Sequence, residues 1–313
     1  MASSLPSNLG YTKKLFILAF DHRGSFAAKL FDIKGRQPTE EETQEISRYK
    51  KMIYDGFKLA LEQGVPKSSA GILVDEQFGL EIIEDAKKNG YLFANPAEKS
   101  GQNEYDFEYG EDFKEHIESM GPTFVKVLVR YNPADDIHMN QRQVERLKRL
   151  SDYCHETDRK FLFEVLVPPT ENQLKSVNGN QLRFEQELRP KLMIQAISEI
   201  QKGGVEPDIW KIEGVDKVSD AEAIAEQTRI DGRNTVGNVI LGRGADEEKV
   251  KEWLAVGAQA KGYSGFAVGR TIFWEPLKGV REGRWSNKEA SEKIAKTYLN
   301  LYQHWAQNER TGS

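Results

Sequence analysis

The stretch Phe124–Arg130, FVKVLVR, alternates Val125, Val127 and Val129 with Phe124, Lys126, Leu128 and Arg130. A strand with period-two alternation puts its two sets of side chains on opposite faces. One face is purely apolar and suits a layer of covering helices. The other carries two cations, and it needs an interior that is open at one end. Seven further short apolar runs repeat the theme: Leu15–Phe20, Ala70–Val74, Tyr91–Ala94, Phe161–Val167, Asp208–Glu213, Asn238–Leu241 and Gly265–Val268. Between them lie segments such as Glu40–Gln63, Asn140–Thr157, Arg189–Gly203, Ala221–Ile230 and Asp246–Gly257, with apolar residues at three- and four-residue steps. Eight such units between Leu15 and Val268 match the roughly 250 residues of a (β/α)8 TIM barrel. A doubly wound open sheet is the competitor, but it would carry G-x-G-x-x-G after the first strand, where this chain has DHRGSF. The reading is a single α/β barrel over 11–306 with a further helix from Glu282 to His304. Flexible tails are expected at 1–10 and 307–313. Asn95–Gly110 reads as a polar, acidic loop after the third strand.

The chain has 313 residues with 44 basic and 49 acidic side chains, a net charge of −5. Mean hydropathy is −0.63. No run approaches the roughly 18 apolar residues of a membrane span, and Met1–Gly10 has no basic-then-apolar leader pattern. The mild acidity argues against nucleic-acid binding. One cysteine, Cys154, leaves no disulfide framework or multi-cysteine metal site, and it reads as helix packing. The five tryptophans read as packing residues. A cytoplasmic protein with no membrane or nucleic-acid partner is expected, assembling as a homo-oligomer.

Applied to the other strands, the alternation turns Leu162, Glu164 and Leu166 inward, with Ile209, Lys211 and Glu213. Asp21 shares a face with Ile17 and Ala19. Lysines and carboxylates from the first, fourth, fifth and sixth strands therefore converge on one interior. A structural ion-pair network would account for some of them, Glu213 in particular. The cluster as a whole exceeds what packing requires. A buried lysine beside another cation has a depressed pKa, and its neutral amine can attack a carbonyl. Lys211 with Lys126 two strands away, and Glu164 between them to move protons, suits Schiff-base chemistry on a ketone or aldehyde. Metal-dependent aldol chemistry fits less well, since His22, His116, His138, His155 and His304 form no ligand pair. No metal or cofactor is expected.

Strand seven runs into LGRGAD with Gly242, Arg243 and Gly244, and strand eight into AVGRTIFW with Gly269 and Arg270 before a helix start. Paired glycines and a helix N-terminus favour a phosphate, and barrels place it in these two loops. Turn glycines with solvated arginines are the alternative. His22 and Arg23 either line the mouth or cap their loop, and at least one of Asp75, Glu76 and Gln77 should face it.

FILAFDHRGSF (Phe16–Phe26), ILVDEQFG (Ile72–Gly79), FVKVLVRYN (Phe124–Asn132), FLFEVL (Phe161–Leu166), WKIEG (Trp210–Gly214) and GFAVGRTIFW (Gly265–Trp274) together resemble the class I aldolase family. That family includes tagatose-1,6-bisphosphate aldolase and the sulfofructose-phosphate aldolase of sulfoquinovose breakdown. The match is closer still to the aldolase-like domain fused behind the sugar-acid kinase of inositol catabolism, a domain expected to stand alone here. The resemblance implies Lys211 as the Schiff-base lysine, Lys126 as the second lysine and Glu164 as the proton-transfer acid. It also implies Asp21 on substrate hydroxyls and Arg270 on phosphate. Three positions depart from the tagatose-type pattern: His22 replaces a glutamine, Gly242–Arg243 replaces a serine–glycine phosphate loop, and Arg130 stands where those members lack a basic residue. With Arg130 and Arg243 added to the mouth, the expected substrate has two anionic ends. A phosphorylated keto sugar acid fits, specifically 5-dehydro-2-deoxygluconate 6-phosphate cleaved to dihydroxyacetone phosphate and malonate semialdehyde. Alternatives are the same chemistry on a sugar or sulfosugar bisphosphate, and a catalytically silent phosphosugar-binding barrel. The expected substrate-binding set is Arg270, Gly269, Arg243, Gly242, Arg130, His22, Asp75 and Gln77.

Overall fold

The computed structural model describes residues 5–310. Its strands are β1 (Leu15–Ala19), β2 (Ala70–Leu73), β3 (Leu92–Pro96), β4 (Phe124–Arg130), β5 (Lys160–Leu166), β6 (Ile209–Glu213), β7 (Gly237–Leu241) and β8 (Tyr263–Val268). They pair in sequence order, all parallel, and β8 closes on β1. Helices separate successive strands, so the chain is a (β/α)8 barrel.

The period-two alternation divides the core into two layers. Val125, Val127, Val129, Phe161, Phe163, Trp210 and Ile212 belong to the large layer between strands and helices. A smaller layer fills the barrel with Leu15, Ile17, Ala19, Leu73, Ala94, Phe124, Leu162, Ile209, Val239 and Ala267. Of these inner residues only Ala19 and Ala267 line the cavity at the C-terminal ends of the strands.

Both chain ends differ from expectation. Leu5–Gly10, read as part of a flexible tail, runs across the bottom of the barrel. There Gly10 N–H donates to Asp208 Oδ1 at 2.6 Å and Tyr11 N–H to the Thr235 carbonyl at 2.9 Å. The Tyr11 ring stands edge-on to Phe124, 5.2 Å between centroids, and plugs the floor. Gly10 needs its φ of +104°, since a Cβ would lie 2.4 Å from the Thr235 carbonyl oxygen. The final helix begins at Asn287 rather than Glu282. Gly283 turns the chain at φ +70°, and a Ser286–Glu289 capping box starts the new helix.

That helix, Asn287–Asn308, extends past the expected start of the tail at Gln307, of which residues 311–313 lie outside the described residues. It buries Ile294, Tyr298, Leu301 and Trp305 against the barrel's outer layer. Tyr298 Oη donates to the Phe16 carbonyl at 2.6 Å. Gly56 of the helix Glu40–Glu62 permits the contact, because a Cβ there would meet Ile294 Cγ2 at 2.5 Å.

Candidate active site

The register of the central strands sets the site. Leu128 pairs with Glu164 and Glu164 with Lys211, so these three lie side by side in one layer. Lys126 is the next inward residue below on β4, and Asp21 lies two residues past the end of β1. The structure therefore gathers all four residues expected to do the chemistry. Lys211 Nζ lies 2.8 Å from Glu164 Oε2, and Lys126 Nζ lies 3.3 Å from that same oxygen. Lys126 also donates to Asp21 Oδ2 at 2.7 Å and to Glu98 Oε1 at 2.6 Å.

Three carboxylates thus face two lysines. Burial disfavours the Lys126 ammonium, but Asp21, Glu98 and Glu164 outweigh it and raise its pKa above the ordinary lysine value. Burial likewise opposes ionisation of Asp21, and Lys126 overcomes it, holding that carboxyl well below the usual range. Glu164 is also lowered, its burial offset by Lys211 and then Lys126. Lys126 is consequently not the free cation expected to repel its neighbour. Its charge is answered on three sides, and it acts as the hub that holds the carboxylates in place.

Glu98 is the member that sequence reasoning missed. It comes from the loop after β3, where no strand alternation assigns it a face. Arg23 reaches this loop from the turn after β1, donating to the Glu98 carbonyl at 2.6 Å and to Glu108 Oε2 at 2.8 Å. The clamp turns the Glu98 carboxyl inward. Burial raises its pKa, with Lys126 and Arg23 opposing, and its Oε2 has no hydrogen-bond partner. The signal available in the sequence was a single acidic residue two positions beyond a strand end, in NPAEKS.

At the other side of the mouth, the loops that carry Gly242–Gly244 and Gly269, where a phosphate is expected, pack against each other. Arg243 and Gly244 take φ of +50° and +74°. A Cβ on Gly244 would sit 2.7 Å from Arg270 Cζ, and one on Gly269 2.1 Å from the Ala19 carbonyl oxygen. The helix Arg270–Arg281 opens here with no side-chain cap. Arg270 Nη2 donates to the Arg243 carbonyl at 3.0 Å and Thr271 Oγ1 to Ala245 O at 2.7 Å, tying the two loops together.

The remaining expected residues divide. Gln77, His22 and Arg130 line the cavity, whose volume is about 980 Å³. His22 is pushed down to about 4, chiefly by burial, and its Nδ1 has no partner, so a neutral imidazole faces Phe273. Asp75 does not belong to the mouth. Its carboxylate pairs with Lys50 behind the barrel wall and accepts from Phe78 N–H at 3.0 Å, capping the helix Glu76–Asn89. Both Asp75 and Lys50 are fully buried and neither lines the cavity, so the pair is out of a ligand's reach. Arg243 lines the cavity but is held by Glu185 at 2.9 Å and Glu213 at 3.0 Å. Glu213 is the structural network member the sequence suggested, since it also meets Arg189 at 3.4 Å and Val167 N–H at 2.9 Å. Among the described residues, no group of three or more His, Cys, Asp or Glu side chains is placed to hold a metal ion.

A family model described as "Uncharacterized protein conserved in bacteria (DUF2090)" matches residues 7–309. The chain belongs to the DUF2090 family. This DUF2090 protein is also 28% identical over 204 residues to the tagatose 1,6-diphosphate aldolase of Listeria monocytogenes serotype 4a, covering 63% of this chain and 54% of that protein. Tagatose 1,6-diphosphate aldolase 1 of Streptococcus mutans serotype c is 26% identical over 156 residues, 48% of this chain and 44% of that one. The chain spans about half the length of the curated relatives it matches. Among solved structures, fructose-bisphosphate aldolase from Plasmodium falciparum aligns with a TM-score of 0.62 at 15% identity, covering 97% of this chain and 93% of that one. An archaeal fructose 1,6-bisphosphate aldolase aligns at 0.54 and 14% identity, covering 92% and 95% respectively. At such identities the structural likeness shows that the DUF2090 barrel shares the aldolase fold.

Proposed function

We propose that the chain is a class I aldolase, a carbon–carbon lyase that uses Lys211 to form a Schiff base with a phosphorylated keto sugar acid. The observation that carries this reading is the buried contact of Lys211 with Glu164, backed by Lys126 and two further carboxylates at a barrel mouth also lined by Gly242, Gly244, Gly269 and Arg270. The similarity to tagatose 1,6-diphosphate aldolases supports the same chemistry.

The 2.8 Å contact gives the Lys211 ammonium a proton acceptor in Glu164. The freed amine attacks the substrate ketone, and the carbinolamine loses water as Glu164 returns the proton to the departing hydroxyl. The product is a protonated imine. Glu164, again a carboxylate, takes the proton of the hydroxyl on the β-carbon. The electrons of the α–β carbon bond move into the iminium, which releases an aldehyde and leaves an enamine. Protonation at the α-carbon and hydrolysis free the ketone product and restore Lys211. Asp21, held ionised by Lys126, is positioned to accept from a substrate hydroxyl, while Gly242, Gly269 and Arg270 receive the phosphate. No cofactor enters this cycle.

The specific substrate we assign is 5-dehydro-2-deoxygluconate 6-phosphate, giving dihydroxyacetone phosphate and malonate semialdehyde in cytoplasmic inositol catabolism, by a homo-oligomeric enzyme. Borohydride reduction with this substrate should add covalent mass at Lys211, and the reaction should withstand exhaustive chelation. Absence of an adduct on Lys211 with every phosphorylated ketone tried would sink the Schiff-base reading. The second reading, tagatose bisphosphate as substrate, is favoured by the curated relatives, and direct comparison of kcat/KM for the two substrates separates them.

A further inference from the structure

Six arginines line the cavity: Arg23, Arg36, Arg130, Arg189, Arg243 and Arg270. Four of them are neutralised by carboxylates of the protein. Arg23 pairs with Glu108 at 2.8 Å, Arg36 with Glu42 at 2.6 Å, Arg189 with Glu213 at 3.4 Å and Arg243 with Glu185 at 2.9 Å. Among the described residues, Arg130 and Arg270 have no carboxylate partner. Arg270 sits after β8 beside Gly244, and its guanidinium donates to a backbone carbonyl. Arg130 ends β4, four strands away on the opposite side of the eight-stranded barrel, and Lys211 lies between them on β6. Its guanidinium makes a single hydrogen bond, from Nη1 to the Gln102 carbonyl at 2.9 Å.

The Arg130 guanidinium lies at the cavity wall with its one hydrogen bond exposed, so most of its five donors are open to an anion in place of water. Its height on the strand is suitable. Leu128, Glu164 and Lys211 share one layer, and Arg130 is the next inward position above it, paired with Leu166. Two residues of strand place it about 7 Å above that layer and two strands place it about 10 Å across from Lys211. An arginine side chain reaches back over much of that gap. The ketone carbon held at Lys211 would then leave room for a short chain of carbons ending at Arg130. Gln102 belongs to the same loop that delivers Glu98, so the loop also steadies the guanidinium.

We propose that Arg130 is the specificity-determining residue for this chain, receiving the anionic terminus of the substrate opposite the loops expected to take the phosphate, and that Arg243 serves as a structural strut. This rests on the aldolase reading and names the side chain that selects for the second anionic end of its substrate. A planar guanidinium takes either a carboxylate or a phosphate through paired N–H bonds.

The test uses three ketones carrying the same phosphate at the Arg270 end: one ending in a carboxylate, one in a second phosphate and one in a neutral hydroxymethyl group. Each is assayed for kcat/KM and for borohydride trapping with the wild-type protein, Arg130→Gln, Arg130→Lys and Arg243→Gln. Arg130→Gln is expected to lower the preference for an anionic over the neutral ketone about 10- to 100-fold, mainly through KM, with Arg130→Lys recovering part of it. The anionic substrate whose preference collapses identifies the group received. Arg243→Gln should lower all three substrates alike. Loss of discrimination in Arg243→Gln but not in Arg130→Gln would overturn the assignment, as would equal losses on all three ketones in both Arg130 variants. A wild-type protein that forms no Lys211 adduct with any of the three would instead defeat the aldolase reading itself.

Discussion

The Lys50–Asp75 pair and the Lys126–Lys211 cluster are made of the same residue types, and both are buried. They differ in stoichiometry and in access. Lys50 has one carboxylate, Asp75, and one carbonyl, Phe20 O at 2.9 Å, with the rings of Phe26 and Phe78 beside it. Every polar contact is closed within the protein, behind a wall that no substrate crosses. The cluster sets three carboxylates against two lysines, leaves Glu98 Oε2 without a partner and opens onto a large cavity. A balanced, sealed pair organises the fold. An unbalanced, accessible one has protons to move. Lys50 also holds the carbonyl immediately before Asp21, so the sealed pair sets the position of one member of the open cluster.

The comparison would break first at Lys211. Lys211→Met should lower kcat/KM about 10⁴-fold or more and abolish borohydride trapping, since the nucleophile is lost. Its thermal melting should fall, but by less than in Lys50→Met, because Glu164 keeps Lys126 at 3.3 Å and faces an open cavity. Lys50→Met should lose about 3–5 kcal/mol of unfolding free energy by stranding Asp75 in the wall. The double variant Lys50→Met/Asp75→Leu should recover most of that loss in chemical denaturation. Equal destabilisation by Lys50→Met and Lys211→Met would erase the distinction between the two regions.

Smaller effects sharpen it. Glu164→Gln should slow cleavage about 10²- to 10⁴-fold, a general acid–base loss, with the Lys211 adduct still trapped at long times. The smallest effect concerns His22. Burial pushes its folded-state pKa down to about 4, below the ordinary histidine value of 6.5. The unfolded chain therefore binds the proton more readily, and stability should fall as pH drops from about 6.5 towards 4. His22→Gln should flatten that part of a melting-temperature profile, and an unaltered slope would locate the acid sensitivity among the carboxylates instead.

Legibility followed the periodicity. Lys126, Glu164 and Lys211 were readable because a strand residue's face follows from its neighbours, and the register then placed Glu164 beside Lys211. Asp75 was misassigned for the same reason reversed. It lies two positions past the last residue of β2, where alternation no longer applies, and its lysine lies on a helix 25 positions away with no sequence mark of the pairing. Arg243 was read correctly as lining the mouth, but the carboxylates that occupy it come from β6 and from the π-helical stretch Phe184–Leu188. The N-terminal segment looked like a frayed tail because small and polar residues carry no amphipathic pattern. Its order comes from contacts with Asp208 and Thr235, about two hundred residues further along.

The amino-acid order was enough for the barrel, its two faces and the convergence of two lysines with Asp21 and Glu164, because those features rest on local alternation and on counting strand–helix units. Which charges answer one another was settled by the folded chain alone. The Lys126 hub, the Glu98 loop held by Arg23, the sealed Lys50–Asp75 pair and the two arginines without carboxylates all depend on distances between residues far apart in sequence. Electrostatic energy is set by those distances and by burial.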